Sequence, residues 1–248
     1  MGNAENAQIT ELANLLQSLP LALQQALAYI NSEKILDSNF SIQNYIERFK
    51  QKQRSQELLD FDLSQHSNDP YSKTILTTWE ITLEKIKQDK IIGAKAIETI
   101  QIMAYLYPDN ILNSMFFQLP NNVRLSPAIH LLKAYSLINE GSEPHISTIH
   151  RLVQKVLRIK LESNHSEFEK IVQNIIYLTG DFTQNKEVMS HYFTFLLHML
   201  EHKELTQTLD LQVNHRKILE SLTYYEKDKN LLNDLFDFAY TTLSRENY

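Results

Sequence analysis

Apolar residues recur along this chain at helical spacing, and the breaks between apolar runs fall on proline, glycine and small polar residues. Ile9, Leu12, Leu15 and Leu16 predict a short amphipathic helix over residues 9–17. Ser18-Leu19-Pro20 interrupts it, and Pro20 suits the first turn of the next helix, 21–31, where its missing N–H costs nothing. Ala and Leu cover most of that helix's circumference, which predicts a buried element. Ser41 caps a third helix over 41–59, with Ile42, Tyr45, Ile46 and Phe49 on one face. The polar run 64–73, containing Asp69-Pro70, is the clearest boundary in the chain.

Beyond it, a helix over 74–88 is centred on the single Trp79, and another over 91–106 ends at Pro108-Asp109. A third, 111–119, ends at Pro120. Ser126 then caps and Pro127 opens a helix that carries Ile129, Leu132, Leu137 and Ile138. Asn139–Gly141 closes that helix with residues that pass easily through positive φ. Residues 143–149 alternate loosely enough for one short strand, and His150 starts a helix with Leu152, Val153, Val156, Leu157 and Leu161 on one face. Helix, turn, short strand, helix is how a winged-helix domain ends. From residue 166 the pattern is helical only, over 166–178, 186–202, 211–225 and 229–245, which reads as two helical hairpins. No clean self-match at the tetratricopeptide period accompanies them. The aromatic group Tyr224, Tyr225, Phe236, Phe238 and Tyr240 reads as core. The expected fold is all-α with one small β wing: a helical subdomain over 1–66, a winged-helix domain over 67–162, and a tetratricopeptide-like tail over 163–248.

Composition narrows the chemistry. The 248 residues include no cysteine, which removes disulfides, thiolate nucleophiles and zinc–sulfur sites and fits a reducing cytoplasm. A net charge of −6 argues against nucleic acid or an anionic membrane as the main partner. The longest apolar stretch, 91–107, is broken by Lys95, Glu98 and Gln101, so no membrane span is expected. The N-terminus shows no charged segment leading into an apolar core, so no secretory signal is expected, and Asn6 does not complete a myristoylation motif on Gly2. Only Gly2, Gly93, Gly141 and Gly180 are glycines. Neither a P-loop nor a GxGxxG turn can be written with them, so the chain holds no phosphate-cradling loop of its own.

Three islands then resemble one family. Ser18-Leu19-Pro20-Leu21-Ala22-Leu23, followed by Ala26 and Tyr29-Ile30, is similar to the GLPLAL segment that follows the core of NB-ARC signal-transduction NTPases (the STAND class). Tyr71, Thr74, Thr77-Thr78-Trp79-Glu80 and Leu83, with Ala104 to Ile111, resemble the start of that family's winged helix. Leu131 to Leu137 and Ile149 to Gln154 resemble its end. The likeness spans roughly residues 8–162. Bacterial members often continue into tetratricopeptide repeats, which suits the helical tail.

The resemblance implies a nucleotide contact at two positions: Pro20 near the adenine, and His150 on the β-phosphate of ADP in the closed state. Three departures stand out. Ser18 replaces a glycine, Arg151 replaces an aspartate, and the upstream NTPase core is missing. Without a P-loop lysine and an acidic metal ligand, the chain alone is expected to bind no cofactor and to catalyse nothing; ADP or ATP enters only with an NTPase core in cis or trans. The expected function is the ADP-sensing, signal-relaying half of a nucleotide switch, with a protein partner on the helical tail. A free-standing helical adaptor that has lost sensing is the alternative, and a zinc-dependent hydrolase through His198, Glu201 and His202 is the more remote one.

Each position also has a plainer reading: Pro20 as a helix starter, and His150 as an exposed residue at a helix N-terminus. His198, Glu201 and His202 match H-x-x-E-H, in which two histidines one turn apart bind zinc and the glutamate is the base. At about 100° per residue, Met189, Tyr192, Phe193, Leu196 and Leu200 form the apolar face and His191, His198 and His202 lie nearly opposite. The histidines are therefore expected in solvent or against a second neighbour, and no metal site is expected. The helix opened by Pro127 carries only His130 and Lys133 as basic candidates, too few for reading DNA.

Overall fold

The computed structural model of the chain describes residues 2–58, 72–119 and 124–180, with positions 191, 194, 195 and 198. Eight α-helices and a small antiparallel sheet make up these residues: α1 (Gly2–Leu15), α2 (Pro20–Leu36), α3 (Ile42–Leu58), α4 (Ser72–Gln88), α5 (Gly93–Met103), β1 (Ile111–Leu112), a 3-10 helix (Asn113–Gln118), α6 (Leu125–Ala134), β2 (Asn139–Glu140), β3 (Ile146–Thr148), α7 (Arg151–Glu162) and α8 (His165–Gly180). Two compact units emerge. One comprises Met1–Thr99 and Arg124–Asn139, the other Ile100–Val123 and Glu140–Tyr248.

In the first unit α2 packs on α3, α4 and α6, and α3 packs on α1 and α4. The central position of α2 follows from its composition, since Ala22, Gln25, Ala26, Tyr29, Ile30 and Glu33 are all buried. Trp79, Tyr45 and Phe49 fill the core between these helices. Thr77, Thr78 and Thr82 are buried in α4 because each hydroxyl bonds the carbonyl one turn back, at 2.9, 2.9 and 3.2 Å. Asp89 caps the start of α5 through the amides of Ile91 and Ile92, at 2.8 and 3.0 Å.

Glu33 is the unexpected member of that core. Its carboxylate, 7% exposed, lies 2.7 Å from the Lys85 ammonium and 3.4 Å from the Arg48 guanidinium. Arg48 also donates to the Tyr29 hydroxyl and lies over the rings of Tyr29 and Phe40. Two cations, the Lys85 ammonium and the stacked Arg48 guanidinium, offset the desolvation of one buried carboxylate.

The second unit holds the sheet, in order β1-β3-β2, with Ile111 opposite Ser147 and Leu112 opposite Ile146. Residues 111–119, expected as a helix, instead form β1 and the 3-10 helix. Asn110 at φ 55° breaks the approach, and the apolar spacing of Met115, Phe116 and Leu119 serves either helix type.

The helix expected to be capped by Ser126 and opened by Pro127 begins two residues earlier, at Leu125. Arg124, left-handed at φ 70°, precedes it without a side-chain cap, and Pro127 falls in the first turn. It ends at Ala134 rather than at Asn139–Gly141. Ser136 takes the left-handed position at φ 52°, with Leu137 N–H bonding Leu132 O at 3.0 Å and Ser136 N–H bonding Lys133 O at 2.9 Å. Gly141 therefore serves a different purpose from the positive φ expected of it. A Cβ there would lie 2.5 Å from Ile146 Cγ2, so glycine lets two segments approach closely.

Candidate functional site

The junction of β3 and α7 is built from the strand upward. Ser147 is fully buried and donates its hydroxyl to Asn113 Oδ1 at 2.7 Å, while Asn113 N–H bonds His145 O at 2.9 Å. Ile149 N–H then bonds Pro108 O at 2.9 Å, which ends the strand against the loop after α5. His150 follows in extended conformation (φ −69°, ψ 135°) as the N-cap of α7. Its Nδ1 accepts the amide N–H of Leu152 at 3.2 Å, and its carbonyl accepts Gln154 N–H at 3.1 Å.

Imidazole is an uncommon cap, and it works only when Nδ1 is unprotonated. The proton of the neutral ring then sits on Nε2, at an exposed position. Desolvation, and secondly the adjacent Arg151 charge, hold the His150 pKa below its usual value and favour the neutral ring.

Two side chains of α7 fix its seat. Gln154, 2% exposed, donates from Nε2 to Met103 O at 2.8 Å and to Leu106 O at 2.7 Å. Arg158 donates to Ala104 O at 2.8 Å. Carbonyls at the end of α5 and in the turn after it are thereby bonded from α7, with Met103 O also accepting the Leu106 N–H at 3.3 Å. The sequence signal was present: Gln154 lies on the apolar face with Val153, Val156 and Leu157, and a polar residue there must find partners.

Pro20 occupies the first turn of α2, as its helix-starting role required, and is exposed. Ser18 sits two residues earlier at φ 54°, following Gln17 at φ 54°. Serine thus sits in the left-handed conformation that glycine tolerates without strain. Pro20 belongs to one compact unit and His150 to the other.

Of the two placements expected for the histidines, solvent or a second neighbour, His191 and His198 take the second. His191 is 1% exposed and Phe195 1% exposed, so the histidine side of these helical positions is packed inward. Its Nε2 lies 3.3 Å from Asn110 O. Burial pushes the His191 pKa down to about 4, partly offset by the Asn110 and Tyr107 carbonyls. His198 Nε2 lies 2.8 Å from Glu162 Oε1, which also accepts the Tyr105 hydroxyl at 2.9 Å. Burial and then the Glu162 charge raise the Tyr105 pKa, keeping it a neutral donor. Glu201, His202 and the predicted apolar residues 189, 192, 193, 196 and 200 lie outside the described residues, as do the predicted helices 211–225 and 229–245. Among the described residues no group of three or more His, Cys, Asp or Glu side chains is placed to hold a metal ion.

No family model matches this chain, and no solved structure matches it. A nucleotide-binding leucine-rich repeat (NLR)-like protein of Hyaloscypha variabilis is similar, at 26% identity over 228 residues. The matched stretch covers 87% of this chain and 22% of that relative, so the chain spans about a fifth of the relative's length. Among the described residues no helix is long and apolar enough to cross a membrane.

Proposed function

We propose that this chain is a regulatory and protein-interaction part of a STAND-type signalling protein, the ADP-sensing and relaying half of a nucleotide switch. At the coarse level, the likeness to an NLR-like protein supports a signalling role of this kind. In this reading residues 1–66 are the helical subdomain, 67–162 the winged helix with its β wing, and 163–248 a tetratricopeptide-like tail. The tail binds a protein partner in the cytoplasm, and neither nucleic acid nor membrane is a partner. The chain is no enzyme. Four glycines cannot build a phosphate loop, and the Glu162 carboxylate already occupies the Nε2 of His198 that a zinc site would use.

The observation that carries the proposal is the fixed tautomer of His150. Its Nδ1 is committed to Leu152, so Nε2–H is the donor an exposed ring can offer to a phosphate oxygen. Pro20 supplies an apolar surface for a base. Neither contact binds ADP alone, because association costs several kcal/mol, on the order of 4–15. An NTPase core must supply the phosphate loop.

The test is calorimetry on the chain joined to its cognate core. His150→Asn preserves a capping acceptor but removes Nε2–H, so it should weaken ADP at least about 10-fold and ATP less. Equal ADP affinity in wild type and His150→Asn would overturn the sensing role. The second reading, an adaptor without sensing, is favoured by one fact: the cap to Leu152 explains His150 without any ligand.

A further inference from the structure

We infer that the outward face of α7 is a docking surface for an acidic amphipathic helix of a partner protein, whose carboxylates meet Arg151 and Lys155 and whose apolar side chains meet Leu152 and Ile159. The inference is independent of the nucleotide reading.

The face follows from helical geometry. At about 100° per residue, the buried residues Val153, Gln154, Val156, Leu157 and Leu161 gather on one side of α7. Opposite them lie Arg151, Leu152, Lys155, Ile159 and Glu162. Lys155 is exposed and the other four are half-buried.

The two cations stand where the helix's own stability does not want them. Arg151 opens the first turn, at the positive end of the helix dipole, and that turn holds no acidic residue. Lys155 follows one turn later, so like charges are neighbours at i and i+4. The His150 ring feels the Arg151 charge, which helps to hold its pKa down. Among the described residues neither Arg151 nor Lys155 has a side-chain hydrogen bond or ion pair. Lys50, Lys52, Lys85 and Lys95 all have carboxylate partners. Glu162, the acid on the same face, lies at the far end of α7, where it accepts from Tyr105 and meets His198.

The pattern defines the occupant. Unpaired cations beside branched aliphatic side chains suit a ligand that is acidic on one side and apolar on the other. Arg151 and Lys155 are separated by about 6 Å of helical rise, and Leu152 and Ile159 by about 10.5 Å. A second α-helix laid along α7 repeats those spacings, with carboxylates at i and i+4 and apolar residues at i and i+7. Nucleic acid fits less well, because two cations flanked by aliphatic side chains offer few phosphate contacts and the chain carries a net charge of −6.

The probe is a synthetic alanine-based helical peptide of about 15 residues, with glutamates at i and i+4 and leucines at i and i+7. It is titrated into the isotope-labelled full chain, beside the same peptide with Gln for each Glu and beside a short DNA duplex. Amide shifts should concentrate in α7, the Gln peptide should bind at least about 10-fold more weakly, and added salt should weaken the acidic peptide. Arg151→Glu combined with Lys155→Glu should abolish binding, and Ile159→Ser should weaken it. An acid in the first turn suits the dipole, so Arg151→Glu alone should leave the thermal midpoint unchanged or raised while binding falls. That separates lost docking from lost folding. No saturable binding of the acidic peptide, equal binding of the Gln peptide, shifts centred outside α7, tighter binding of the duplex, or a midpoint lowered by Arg151→Glu would overturn the docking surface.

Discussion

Gln154 gives both hydrogens of its side-chain amide to the end of α5, at 2.8 Å to Met103 O and 2.7 Å to Leu106 O. One buried side chain thus closes two main-chain acceptors that have no water to turn to. Replacing it by Leu should cost about 1–3 kcal/mol, because Leu106 O loses this donor while Met103 O keeps only the Leu106 N–H at 3.3 Å. Replacing it by Glu should cost more, since a carboxylate facing two carbonyls is repelled. Urea denaturation of the two variants checks the order. A Leu variant within a few tenths of wild type would mean that these carbonyls find other donors.

A second prediction comes from Ser18. Its left-handed backbone (φ 54°) costs a residue with a Cβ roughly 1 kcal/mol that glycine is spared. Ser18→Gly should therefore raise stability by about 0.5–1 kcal/mol, and Ser18→Val should lower it by more than that. Midpoints of thermal unfolding read both.

The buried Glu33 yields a third. Lys85→Met or Arg48→Met alone leaves one cation on the carboxylate, so each should cost about 1–3 kcal/mol. The double variant should cost more than the sum, because it strands the carboxylate. Adding Glu33→Met to the double variant should recover part of the loss. Simple additivity in a double-mutant cycle would show that the two cations act independently.

What the sequence revealed and what it hid follow one rule. Elements set by local chemistry were legible. Pro20 starts its helix, Trp79 centres its own, and the alternation before His150 marks the strand. Elements decided by distant partners were not. Ile111 and Leu112 pair with Ser147 and Ile146, far along the chain, and helical spacing cannot foretell that. The ending of α6 was missed because Ser136 took a conformation expected of Asn139–Gly141. His191 was placed opposite the apolar face because the helical projection grouped Met189, Tyr192, Phe193, Leu196 and Leu200 and left out Phe195, four residues on. A histidine one turn from a buried phenylalanine can be buried with it. Of the site, His150 was named from its setting, whereas its partner Leu152 N–H and the anchors Gln154 and Arg158 needed coordinates.

The last prediction separates the two possible duties of His150 without any nucleotide. As an N-cap, its Nδ1 satisfies one open amide of α7, so His150→Ala should cost about 1 kcal/mol at neutral pH. His150→Asn should cost nothing or stabilise slightly, since Asn is among the best caps. The pH dependence has a definite sign. The folded pKa is lowered, by desolvation first and then by Arg151, so the histidine's contribution is present above its ordinary value and is lost as pH falls through the lowered one. Below that point the ring carries a proton on Nδ1 and cannot accept from Leu152. The stability difference between wild type and His150→Asn should therefore grow in favour of Asn as pH drops below about 6.5. It should be flat above that value. A difference that does not change with pH would mean that the ring does not cap the helix in solution. The exposed imidazole would then be free to present either nitrogen to a ligand.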